Sequence, residues 1–298
     1  MVATPPLRSH APDDRADAFF LPSEDGLQLA VTARSGWHPS QLVFAHGFGQ
    51  TRLAWEGSAR QLRHAGFGSL AFDARGHGDS ERNPRDQPYQ GEHFLADLGA
   101  VTAAAGSAPV LVGASMGGLM GLWAEAIRPR YAAMVLVDIT PRWESAGVSR
   151  ILGFMDAHPQ GFDSLEHAAD EIAAYLPHRR ARKTPEQLAS LLRRGEDGKW
   201  HWHWDRRMLD EFARDAARHQ AELMEAVRSI RTPLLLVSGG RSDLVSDRTV
   251  DEFLSLVPHA EHRRLPEATH MVAGDDNDAF TDTILDFLRT TVPSGDTP

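Results

Sequence analysis

A serine hydroxyl attacks a carbonyl near neutral pH only when a base takes its proton and a third group orients that base. Gly113-Ala114-Ser115-Met116-Gly117 has the form that holds such a serine. It follows the apolar run Val110-Leu111-Val112 and precedes the helix-like stretch from Gly118 to Ile127. A G-x-S-x-G pentapeptide between a strand and a helix reads as a sharp turn that lifts the hydroxyl of Ser115 above a sheet. Side chains at the two flanking positions would crowd that turn. The helix that follows supplies the positive end of its dipole and free N–H groups beside a developing oxyanion.

The remaining parts are expected in the order serine, acid, histidine. Ser238-Gly239-Gly240-Arg241-Ser242-Asp243 leaves an apolar run through two glycines and reaches a carboxylate. Ala268-Thr269-His270-Met271 follows the last strand-like run. Strand ends gathered at one sheet edge would bring Ser115, Asp243 and His270 together. The rival acid is Asp138, which ends the run Val135-Leu136-Val137, and Asp243 is preferred to it. His46-Gly47-Phe48-Gly49 follows another apolar run and can offer the N–H of Phe48 to an oxyanion, with the N–H of Met116 as second donor. Asp73-Ala74-Arg75-Gly76-His77-Gly78-Asp79-Ser80 reads as a tight hydrogen-bonded turn with a structural role.

Composition narrows the function class. The formal net charge is −10, with 42% hydrophobic and 24% charged residues. That balance argues against nucleic-acid binding and offers no basic face to an anionic membrane. The chain contains no cysteine, which excludes a disulfide framework and a thiolate nucleophile. The opening residues lack the apolar core of a signal peptide, and no run reaches the ~18 apolar residues that span a bilayer. The expectation is a cytoplasmic protein, monomeric or a homodimer.

Short apolar runs alternate with helical patterns in most of the chain: Leu27–Val31, Gln41–Ala45, Ser69–Phe72, Val110–Gly113, Ala133–Val137, Pro233–Val237 and Ala260–Leu265 read as strands. This is the signature of a mostly parallel α/β sheet. Residues up to about 17 read as a loose arm. Between Arg142 and Arg228 only helical patterns occur. The expected division is therefore a core of residues 18–141 and 229–292 and a helical cap of residues 142–228 over the sheet edge. In Trp200-His201-Trp202-His203-Trp204 an extended backbone would put the tryptophans on one face, either as a pocket wall or as an anchor. The preferred reading is the anchor. The histidine pair lacks the further ligands that a metal site needs. The expected pocket residues are His46, Trp55, Phe154, Met155, Trp202 and Met271, suited to a small hydrophobic substrate.

Taken together, the glycine loop at His46, the Asp73–Ser80 turn, the Gly113–Gly118 elbow, Asp243 and His270 resemble the α/β-hydrolase fold family in kind and order. The resemblance implies an eight-stranded, mostly parallel twisted sheet flanked by helices, with a helical cap inserted after strand 6. It implies Ser115 as nucleophile, His270 as general base and Asp243 as its partner, with no cofactor. A serine at the elbow sets the chain apart from dehalogenase and epoxide hydrolase members, which place an Asp there. The expected activity is hydrolysis of a carboxylic ester or lactone by way of an acyl-enzyme. C–C bond hydrolysis or perhydrolysis on the same residues is the alternative. A non-catalytic ligand-binding protein and a cofactor-free lyase or oxygenase are alternatives of another class.

Overall fold

Strands covered on both faces are apolar throughout, and the middle of this chain carries several. In the computed structural model, which describes residues 15–175, 184–209, 216–275 and 277–292, these runs form one sheet. In chain order the elements are β1 (Asp17–Pro22), β2 (Gln28–Arg34), β3 (Leu42–Ala45), α1 (Glu56–His64), β4 (Ser69–Phe72), α2 (Gly91–Ala104), β5 (Val110–Ala114), α3 (Met116–Ile127) and β6 (Ala133–Val137). There follow α4 (Ser145–Asp156), α5 (Leu165–Tyr175), α6 (Pro185–Ala189), β7 (Leu192–Arg194), β8 (Trp200–Trp202) and α7 (Ala216–Ala226). The chain closes with β9 (Leu234–Gly239), α8 (Asp247–Leu256), β10 (Glu261–Leu265), α9 (Val272–Asp275) and α10 (Asn277–Thr291).

The eight-stranded sheet has the order β1-β2-β4-β3-β5-β6-β9-β10. β1 and β2 run antiparallel to their neighbours, and the other pairs are parallel. Every residue of β3, β4 and β6 is buried, as double coverage requires. One face packs Trp55 of the turn before α1, Leu62 of α1, and Phe280 and Ile284 of α10 against the sheet. The other packs Phe94 and Leu98 of α2 and Leu122 of α3. α3 approaches β3 very closely, since a Cβ at Gly117 would lie 2.4 Å from the Ala45 carbonyl oxygen.

One strand is added and one expectation is corrected. β1 precedes the first strand-like run of the sequence and pairs along β2 from Asp17↔Ala33 to Pro22↔Gln28. As an edge strand with Phe19 and Phe20 both exposed, it carries no buried alternation to announce it. The segment inserted between β6 and β9 is not purely helical. After α6 stops at Ala189, β7 and β8 form an antiparallel hairpin. Its turn places Gly198 at φ +80°, and Phe162 bridges to Trp200 on the outer side. Phe162, Ala168, Ile172, Leu188 and Leu192 give the inserted segment a small core of its own.

Candidate active site

The turn after β5 puts Ser115 at φ 46°, ψ −116°, a conformation that costs an ordinary residue about 1–3 kcal/mol. Only a backbone held from both sides keeps such a residue in place. The Ser115 N–H donates to the Val137 carbonyl of β6 at 3.2 Å, and its own carbonyl accepts from the Leu119 N–H at 3.0 Å. Gly47 and the serine approach so closely that a Cβ at Gly47 would lie 3.1 Å from the Ser115 Cβ. Met116 opens α3, so its N–H has no carbonyl partner within the helix. Its side chain is packed in the core cluster, which leaves the backbone as its contribution to the site.

His270, after β10, has its Nδ1 2.7 Å from Oδ2 of Asp138. This corrects the expected partner, Asp243. Asp138 is the first residue past β6 and is wholly buried. Its carboxylate also accepts from the Gly239 N–H at 2.7 Å and from the Ser242 hydroxyl. Three donors to one buried carboxylate leave it no freedom to turn. Asp138 itself sits at φ 50°, the second strained non-glycine residue of the site. Asp243 lies in a different direction, ion-paired with Arg150 of α4. With Nδ1 engaged, Nε2 is the nitrogen of His270 available to a serine.

A cavity of about 740 Å³ opens beside these residues and is lined by both Ser115 and His270. Phe48 and five of the six expected pocket residues line it: Trp55, Phe154, Met155, Trp202 and Met271. His46 does not. It is buried between backbone groups, with Nδ1 2.8 Å from the Gly47 carbonyl and Nε2 accepting from the Ala74 N–H at 2.9 Å. Lining residues that pattern reading did not single out include Ile151, Ile172, Arg150, which pairs with Asp243, and the charged pair Arg241–Glu267. They belong to the inserted segment and to the loops after β9 and β10, where sequence carries no periodicity to mark them.

The tryptophan run divides its work. Trp202 lines the cavity, packs edge-on against Phe162 with ring centres 5.3 Å apart, and stacks on Trp204 at 6.4 Å. Trp204 is buried against Phe48, with ring centres 4.9 Å apart. Both readings of the run thus apply, one to each residue. His201 pairs with Asp197, whereas His203 is buried among backbone groups. The Asp73–Ser80 turn is knitted by ion pairs, Arg75 with Asp97 at 2.6 Å among them.

The chain shares its sequence with known hydrolases over most of its length. It is 27% identical over 282 residues to esterase Rv0045c of Mycobacterium tuberculosis, covering 91% of this chain and 90% of the relative. It is 28% identical over 263 residues to the N-formylmaleamate deformylase of Pseudomonas putida, covering 86% and 91% respectively. The crystal structure of an α/β hydrolase from Novosphingobium aromaticivorans superposes with a TM-score of 0.78 at 25% identity, over 92% of this chain and 98% of that one. Residues 42–283 match the model of the alpha/beta hydrolase family. With the eight-stranded sheet, the strained serine turn and these likenesses in agreement, the chain belongs to the α/β hydrolase family.

Proposed function

We propose that this protein is a serine hydrolase that cleaves a carboxylic ester or lactone of a small hydrophobic substrate through an acyl-enzyme. The observation that carries the reading is the serine at φ 46° on the wall of a cavity that is also lined by His270, whose Nδ1 is engaged by the buried Asp138. Storing strain at one serine is unexplained by packing alone and fits a nucleophile held in place. The kinship with an esterase at 27% identity supports the same chemistry.

In the proposed reaction His270 Nε2 takes the hydroxyl proton as Ser115 Oγ bonds to the substrate carbonyl carbon. Asp138 accepts the Nδ1 proton in a hydrogen bond and stabilises the imidazolium. The oxyanion is held by the N–H groups of Phe48 and Met116. Collapse of the tetrahedral intermediate breaks the carbon–oxygen bond, and the alcohol leaves with the proton from His270. Water, deprotonated by the same imidazole, then attacks the acyl carbon and releases the acid and the free serine. The mostly apolar lining suits a hydrophobic acyl or lactone group.

The test is hydrolysis of a graded series of p-nitrophenyl esters and simple lactones by wild type and Ser115→Ala. The expected result is turnover that falls by a factor of about 10⁴ or more in the variant. Turnover equal in both proteins would overturn the reading.

A further inference from the structure

The turn that would carry the oxyanion donor is held by three buried histidines, one for each of its consecutive peptide units. His46 Nδ1–H donates to the Gly47 carbonyl at 2.8 Å, and that carbonyl shares a planar peptide with the Phe48 N–H. Fixing the carbonyl therefore fixes the opposite direction of the N–H. The next unit is held by His77, whose Nε2 accepts from the Gly49 N–H at 3.2 Å. The third is held by His203, whose Nε2–H donates to the Gly49 carbonyl at 3.2 Å.

Each ring is anchored in turn at its other nitrogen. His46 Nε2 accepts from the Ala74 N–H at 2.9 Å, and His203 Nδ1 from the Gly78 N–H at 2.7 Å. His77 Nδ1–H donates to the Arg75 carbonyl at 3.2 Å. Every ring thus uses one nitrogen as donor and one as acceptor, which only a neutral imidazole in a single tautomer can do. Burial acts in the same direction, pushing His203 down to about 3 and His77 well below the usual range. The rings also touch, with centres 5.1 Å apart between His46 and His77 and 5.8 Å between His77 and His203.

We propose that His46, His77 and His203 are positioning residues for the oxyanion donor, and that His203 ties the seating of the inserted segment to the geometry of the Phe48 peptide. His203 is the informative member because it alone comes from between β6 and β9, directly after Trp202 on the cavity wall. Gly49 is gripped at its N–H by the sheet-edge turn and at its carbonyl by the inserted segment. A displaced inserted segment would release one side of the grip.

This inference rests on the serine-hydrolase reading, and the experiment separates the two. Glutamine reaches as far as Nε2 and keeps a donor for Gly49, whereas asparagine mimics only Nδ1. His203→Asn is expected to lower kcat on a short p-nitrophenyl ester about tenfold or more, with KM within about twofold, and His203→Gln to recover most of the loss. Equal losses in both folded variants, or a change confined to KM, would overturn the positioning role. Nitrogen-15 NMR of the histidines reads the clamp without substrate. The expected spectra show neutral rings at pH 6, protonated at Nδ1 for His46 and His77 and at Nε2 for His203. A different tautomer or a charged ring would overturn the clamp itself. Wild type inert on esters, with the expected tautomers present, would instead count against the acyl-transfer reading.

Discussion

Replacing Asp138 by asparagine is the sharpest perturbation of the proposed site. The carboxylate accepts from His270 Nδ1–H, the Gly239 N–H and the Ser242 hydroxyl. An amide of the same shape can still accept from Gly239 through its oxygen. Its NH₂ then faces His270 Nδ1 and favours the tautomer protonated at Nε2, which cannot take the serine proton. In Ser-His-Asp enzymes this wrong tautomer lowers kcat about 10⁴-fold, equivalent to roughly 5.4 kcal/mol of barrier. Asp243→Asn removes an ion pair in which the Arg150 side chain is 61% exposed, and pairs in that setting contribute about 0–1 kcal/mol. Its kcat is expected to stay within about threefold of wild type. Steady-state hydrolysis of a short p-nitrophenyl ester, with thermal unfolding to show that both variants fold, measures the difference. A collapse of activity in Asp243→Asn alongside an active Asp138→Asn would refute the assignment.

The histidine clamp predicts acid lability. His46, His77 and His203 have folded-state pKa values lowered by burial, with cations Arg52, Arg82 and Arg193 nearby and Asp73 opposing at His46. The unfolded chain takes up protons below about pH 6.5 while the folded rings stay neutral, so stability is full above that pH and is lost as pH falls toward the folded values; urea unfolding should show a loss of about 2 kcal/mol from His203 alone between pH 7 and pH 5. A stability that is flat over this range would contradict the neutral rings. Trp202→Ala opens the cavity wall and should move the acyl-chain optimum to longer esters, each newly contacted methylene being worth about 0.8 kcal/mol, or roughly fourfold in kcat/KM. An unchanged chain-length profile would place Trp202 outside the substrate path.

The legible parts of the molecule are those where one physical requirement dictates residue type. Parallel strands buried on both faces must be apolar, so β3, β4, β5, β6 and β9 appear as short hydrophobic runs with nearly correct ends. The serine turn must be glycine-flanked because a Cβ at Gly113 would lie 2.8 Å from the Gly117 carbonyl oxygen. Where several residue types satisfy the same requirement, pattern fails. β1 is exposed at every residue but Leu21, and the hairpin strands have only three residues each. His46 reads as a pocket residue from its place beside the cavity loop, yet its hydrogen-bond partners turn it into the scaffold.

The choice of acid shows the limit most clearly, because Asp138 and Asp243 both satisfy the chain order from serine to histidine. What separates them is how rigidly the sheet holds each one. Ala114 pairs with Val137, and Val137 pairs with Val237, so Ser115 and Asp138 emerge at the same level from adjacent strands. Asp138 is still within the sheet's hydrogen bonding, donating its N–H to the Val237 carbonyl at 2.8 Å. Asp243 comes four residues after β9 ends, on a loop whose side of α4 fixes it to Arg150. A carboxylate that must stabilise an imidazolium without reorganising is better placed on the strand beside the proposed nucleophile than on a loop beyond it. That the two residues emerging level there, Ser115 and Asp138, both have φ near +50° follows from the same constraint: each is aimed by a strand end that leaves its backbone no relaxed alternative.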